Sequence, residues 1–127
     1  MKNMSFALTT RQYQLGRKTV TRRVGWAFLK PNDTVMGVKK GMGLKKGEKI
    51  KRLGAFYVIS VRREALSRLL VLDQYSHDEM AKEGFPWLSP QKFVEFFIKT
   101  HKGCTINTEV TRIEFTRITP MEDQPCH

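Results

Sequence analysis

The stretch Ala55 to Val61, AFYVISV, constrains the fold of this chain more than any other, because it is almost continuously apolar and rich in β-branched and aromatic side chains. Such a run predicts a strand, and its lack of polar alternation predicts one buried on both sides or closed into a barrel. Arg62-Arg63-Glu64 is expected to end it. The chain has 127 residues, enough for one hydrophobic core without help from metals or disulfides.

Shorter elements surround this strand. Ser5 to Leu8 reads as a first strand. Thr9 and Gln12 have the spacing of a capping box, which predicts a short helix through Leu15 closed by Gly16. Lys30-Pro31-Asn32-Asp33 is a turn, and Thr34 to Val38 the strand it leads into. Leu66 to Leu72 fits either a strand or a helical turn, and periodicity does not choose between them. Ser76 with Glu79 is a second capping-box spacing, for a helix ending at Gly84. Ser89-Pro90 starts another helix, with proline in the first turn where its missing N–H does no harm. Phe93, Val94, Phe96, Phe97 and Ile98 fill a wide apolar face of that helix, read as core packing rather than as a base-stacking platform. Glu109 to Ile118 alternates as a half-buried antiparallel strand does. Strands at both ends with helices inserted between them predict an α+β fold, a small mixed β-barrel with flanking helices in which the terminal strands pair.

Composition narrows the function classes. The hydrophobic fraction of 40% with 28% charged residues is that of a soluble globular protein, with no run long enough for a membrane span or a signal peptide, so a cytoplasmic location is expected. The two cysteines, Cys104 and Cys126, lack CxxC spacing and are expected to be reduced. A split zinc site from His101, Cys104, Cys126 and His127 fits no common ligand spacing, so neither metal nor cofactor is expected. The formal charge of +11 is the informative number. An excess of that size most often serves a polyanion, and because the basic residues lie mostly outside the long helix, nucleic acid fits better than an anionic membrane. Lys39 to Arg52, KKGMGLKKGEKIKR, holds seven cations against one carboxylate and reads either as a mobile loop or as a twisted hairpin with a strongly positive field. Lys45, Lys46 and Lys49 are its candidate phosphate contacts.

The densest chemistry lies at Gly16 to Arg23, GRKTVTRR, where a glycine, two threonines and four cations occupy eight residues. If residues 20 to 23 are extended, Thr19, Thr21 and Arg23 share one face, and Val20 and Arg22 the other. Gly16 takes the positive φ that ends the preceding helix, leaving Lys18 and Thr21 near each other at the strand's entrance. Arg17, Lys18, Thr21, Arg22 and Arg23 are therefore candidate anion ligands; an ordinary surface turn is the competing reading.

The run Gly16 to Arg22, the Lys30-Pro31-Asn32-Asp33 turn, the AKEGF segment at Ala81 to Phe85 and the closing EVTRIEF strand together resemble the ASCH domain of the PUA-like superfamily. The likeness spans nearly the whole chain, as one domain over residues 1–119 with a C-terminal tail at 120–127. The basic insertion looks like that of small phage or prophage ASCH proteins. The resemblance implies a PUA-like β-barrel with a cleft for RNA or a modified nucleotide, with DNA as a possible ligand. One ASCH branch consists of small amidohydrolases that deacetylate N4-acetylcytidine with a lysine, a threonine and a glutamate; Lys18 and Thr21 match the first two by motif, and Glu83 is the matching carboxylate. Another branch is reported to cleave RNA. On this reading the chain binds RNA or a modified nucleotide, with an amidohydrolase or a ribonuclease as the alternative. In such a site Arg17, Arg22 and Arg23 would depress the Lys18 pKa enough for the amine to accept a proton from Thr21. The same groups serve a binder, Lys18 and Thr21 holding phosphate and Glu83 accepting from an exocyclic amine. The chain departs from the amidohydrolases in length, in the 39–52 insertion and in Asn32, which favours a polymer over a free nucleoside. Trp26, three residues past Arg23, is expected either in the core or over the cleft mouth, stacked on a base. Trp87 is read as a lid on the helix junction, and Tyr13 as a residue lining the cleft.

Overall fold

The computed structural model describes residues 1–41 and 44–118. Cys126, His127 and the 120–127 tail lie outside the described residues. Five strands alternate with short helices: β1 (Asn3–Ser5), α1 (Thr10–Gln14), β2 (Val20–Arg23), β3 (Thr34–Val38), β4 (Arg52–Ala65), a 3-10 helix (Leu66–Val71), α2 (Gln74–Lys82), α3 (Pro90–Thr100) and β5 (Glu109–Arg117). The α+β class follows directly. The strands form one mixed sheet in the order β1-β3-β4-β5-β2, with β1 parallel to β3 and the other pairs antiparallel.

This sheet is open, which corrects the expectation of a closed barrel. Its edges, β1 and β2, share no ladder, and the terminal strands β1 and β5 do not pair, because β3 takes β1 while β4 and β2 take both sides of β5. A side chain joins the edges instead: the Arg23 guanidinium donates from Nη2 to the Ser5 carbonyl at 2.6 Å.

The apolar run of β4 is buried on one face only. Phe56 and Val58 are fully buried, whereas Tyr57 and Ile59 are 43% and 49% exposed. α1 packs against β4 on the Phe56 side, where Tyr13 meets the Phe56 ring. β4 also runs through Arg62-Arg63-Glu64 to Ala65, bent by a bulge between Val58 and Ser60. β5 departs in the opposite sense, since Arg112 and Thr111 are buried along with Val110, Ile113 and Phe115. The reason is α2, which lays Glu79 against Arg112. That helix begins with Asp73, whose carboxylate accepts from the Ser76 N–H, so Ser76 and Glu79 are not its capping box. α3 is capped by Ser89 with Pro90 following, as its sequence predicts.

Two apolar clusters result. One, including Phe6, Tyr13, Phe56 and Phe115, covers the Phe56 face of the sheet; the other, including Leu66, Met80, Phe93 and Phe97, joins the helices to the start of β5. Tyr13 is wholly buried, stacked on Phe6 with its hydroxyl donating to the Gly54 carbonyl, so it is a core residue and not a cleft residue. No helix of the described residues is long and apolar enough to cross a membrane.

Candidate functional site

The path of residues 16 to 19 sets the site. Gly16 has φ +72°, a conformation that side chains disfavour, and it turns the chain so that the Arg17 and Lys18 N–H groups both donate to the Gln12 carbonyl. The Thr19 N–H then donates to the Lys82 carbonyl at 2.8 Å, fastening the start of β2 to the end of α2. Gly84, at φ +98°, closes α2, and a Cβ there would press to 3.2 Å from Gln12 Cβ. Two glycines thus bring Lys18 and Glu83 together from distant parts of the chain.

Lys18 Nζ donates to the Glu83 carbonyl at 2.6 Å and to the Glu83 carboxylate at 3.0 Å. The other carboxylate oxygen accepts from Arg22 Nη1 at 2.9 Å. Arg22 also reaches Glu64 at 2.8 Å and Glu79 at 2.6 Å. Glu79 in turn holds Arg112 in a two-point pair at 2.6 and 3.0 Å, and the Tyr75 hydroxyl donates to Glu64. This network ties β2, β4, β5 and α2 together, with every partner satisfied, as burial of charge requires. Arg22 is consequently a clamp on three carboxylates, Glu64, Glu79 and Glu83.

A cavity of about 260 Å³ opens beside this network. Its lining includes the polar Lys18, Thr21, Arg23 and Glu83 and the aromatic Phe85, Phe93, Phe96 and Phe97. Phe93, Phe96 and Phe97 come from the face of α3 that the sequence assigns to the core; Phe93 and Phe97 are core residues that also border the cavity, whereas Phe96 is exposed. Thr21 Oγ1 accepts from Arg23 Nε at 3.0 Å, and the Arg23 guanidinium lies 5.0 Å from the centre of the Phe6 ring. His101 borders the cavity as well, its ring stacked on Phe97 at 4.0 Å.

The electrostatics follow from burial. Burial depresses the Lys18 pKa below that of an ordinary lysine; Glu83 opposes the shift, and Arg23 and Arg22 add to it. Arg17, expected to contribute, is exposed and takes no part. Burial pushes the Arg23 guanidinium down to about 10, which leaves it charged at neutral pH. Burial also opposes the charge of Arg22, but Glu83, Glu64 and Glu79 outweigh it and hold that group above an ordinary arginine.

Of the residues singled out by sequence, the structure brings Lys18, Thr21, Arg22, Arg23 and Glu83 to one cavity. Arg17 points away. Trp26 lies outside it, in a strained turn at φ +61°, packed on the apolar cluster and against Phe28 at 5.4 Å. Lys45, Lys46 and Lys49 are exposed in the segment between Lys39 and Lys51, whose base is closed by the Lys39 N–H donating to the Lys51 carbonyl. That base adjoins the cavity, because Ser5, a lining residue, donates from Oγ to the Lys39 carbonyl at 3.3 Å. Sequence reading missed Glu64, Glu79, Tyr75 and Arg112. The available signal was the spacing of Glu79 and Glu83, four apart and therefore on one helix face.

Comparison with protein-family models, with curated proteins and with solved structures finds no match to this chain.

Proposed function

We propose that the chain is an ASCH-type nucleic-acid-binding domain that takes one base of RNA, or a modified nucleotide, into the cavity beside Lys18 and Glu83. The observation that carries this reading is the pairing of opposite polarities in one space: a buried amine and carboxylate line the same cavity as several phenylalanine rings, Phe85 among them at 5.9 Å from Lys18 Nζ. A nucleobase has that character, with donors and acceptors on its edge and apolar faces. Lys18 spends two of its three donors on Glu83, so the third is available to a ring or acyl carbonyl. Each Glu83 oxygen holds one cation and keeps a lone pair for an exocyclic amine. The +11 charge and the exposed lysines of the 39–51 loop, rooted beside Ser5, supply attraction for the rest of a polyanion.

One observation favours the amidohydrolase reading as second: Thr21, a potential nucleophile, and Lys18, an amine with depressed pKa, border the same cavity. In that chemistry Thr21 Oγ would add to the acyl carbon as its proton passes to Lys18. The cytosine amine would leave with that proton, and water would hydrolyse the acyl-threonine ester. The resting hydrogen bond on Thr21 comes from Arg23 rather than from Lys18, which is why recognition ranks first.

Titration of RNA at several salt concentrations tests the proposal. Binding should weaken with a slope of roughly 0.7 to 0.9 per neutralised phosphate in log affinity against log salt, and joint replacement of Lys45, Lys46 and Lys49 by glutamine should lower that slope by up to about two or three. Absence of binding to RNA and DNA at low salt removes the nucleic-acid reading.

A further inference from the structure

The aromatic lining does not end at the cavity. Leu8, Phe85, Phe93 and Phe96 also line a second groove, of about 310 Å³, that runs outward to Trp87 and Lys92. Trp87 is 71% exposed and Leu8 69%. The indole is nonetheless held in place. It stands edge-on to the Phe85 ring at 6.0 Å and 89°, and Phe85 in turn lies 5.9 Å from Lys18 Nζ.

The segment carrying it is stiff. Pro86 and Pro90 flank the turn, the Leu88 N–H donates to the Phe85 carbonyl at 3.0 Å, and Ser89 caps α3. A tryptophan on a turn whose backbone is braced by two prolines and a capped helix, open to solvent and continuous with a cavity for a base, is a stacking surface on an already ordered backbone. Charge selects the occupant. A second copy of this chain carries the same net charge of +11, whereas a nucleic-acid strand brings the opposite sign, and Lys92, 3.6 Å from Glu95, stands in the groove.

We propose that this groove holds the nucleotide adjacent in the strand to the one in the cavity, its base stacked on Trp87 and its phosphate near Lys92. The inference rests on the reading of the cavity as a base site. It makes the protein a reader of a base within a strand rather than of a free nucleoside.

The test compares free N4-acetylcytidine with a tetraribonucleotide carrying one N4-acetylcytidine, both titrated at one fixed salt concentration into wild type, Trp87→Ala and Trp87→Phe. The tetranucleotide should bind wild type at least about tenfold more tightly than the nucleoside, and Trp87→Ala should weaken the tetranucleotide by about tenfold to a hundredfold while leaving the nucleoside within about twofold. Trp87→Phe should keep most of the affinity. Equal tetranucleotide affinity in Trp87→Ala and wild type overturns the inference and leaves the cavity reading standing. A wild-type dimer in sedimentation that Trp87→Ala abolishes also overturns it, in favour of a second copy on the groove. If wild type binds neither probe, N4-acetylcytidine is not the base the cavity takes and the inference falls.

Discussion

Lys18 Nζ lies 2.6 Å from the backbone carbonyl of Glu83 and 3.0 Å from its carboxylate, across 65 residues of sequence. Both residues are almost wholly buried, at 3% and 2% exposed. Burial of an amine disfavours its charged form, and the carboxylate only partly compensates. The Lys18 amine should therefore titrate below the ordinary lysine value of 10.5, as read by NMR of its side-chain nitrogen. The sign for stability is fixed by the same shift. The unfolded chain holds the proton more tightly than the folded one, so this group's contribution to stability rises with pH between the lowered pKa and 10.5. A midpoint at or above 10.5 contradicts the burial account.

Arg22 is the structural member of the cluster, and its replacement should act on the fold. Removing one partner from a buried ion network leaves the others uncompensated, so Arg22→Met should cost about 3–5 kcal/mol in denaturant unfolding. Arg22→Lys should recover little, because an ammonium does not span Glu64, Glu79 and Glu83 at once. The same network sets the acid limit. Burial raises the Glu79 pKa, but Arg112 and Arg22 outweigh it and bring that carboxyl down to about 2 from an ordinary 4.5. Its contribution to stability is complete above about 4.5 and lost as pH falls through about 2. A stability change below about 0.5 kcal/mol in Arg22→Met would mean that the network carries nothing.

Trp26 gives the opposite pattern from Trp87. Packed on the apolar cluster away from the cavity, it should lower stability when changed to alanine, by roughly 1–3 kcal/mol for its half-buried ring, and leave nucleoside affinity unchanged. Calorimetric melting and a nucleoside titration on the same sample separate the two effects. Lost affinity at unchanged melting temperature would return Trp26 to the ligand.

The local part of the site was legible in sequence because its signals are local. Gly16 ends α1 with positive φ, and the alternation of β2 puts Thr21 and Arg23 on the side of the cavity they both border. The role of Arg22 was not legible, because a buried clamp and a phosphate ligand use the same guanidinium, and only the fold shows that Glu64, Glu79 and Glu83 surround it. The strand AFYVISV was over-read for a similar reason. Tyr57 and Ile59 satisfy a buried-strand composition, but whether anything covers the outer face of a sheet depends on where helices far along the chain are laid. Trp26 and Trp87 illustrate the same point, since sequence left Trp26 either in the core or over the cleft mouth, and only the structure shows it packed on the apolar cluster while the open indole is Trp87, at the turn between α2 and α3.

The central claim is that the cavity bordered by Lys18, Thr21 and Glu83 takes a nucleobase, and calorimetric titration of a panel of cytidine-type nucleosides, N4-acetylcytidine among them, into wild type and two near-isosteric variants tests it most directly. The account predicts saturable one-to-one binding of at least one member. Glu83→Gln should weaken it by about tenfold or more and Thr21→Val by about fivefold, each variant remaining folded at the assay temperature, in keeping with roughly 1 kcal/mol for a neutral hydrogen bond and more for a charged one. Saturable binding with the same affinity in wild type and both variants, or no binding of any nucleoside by folded wild type, would contradict it.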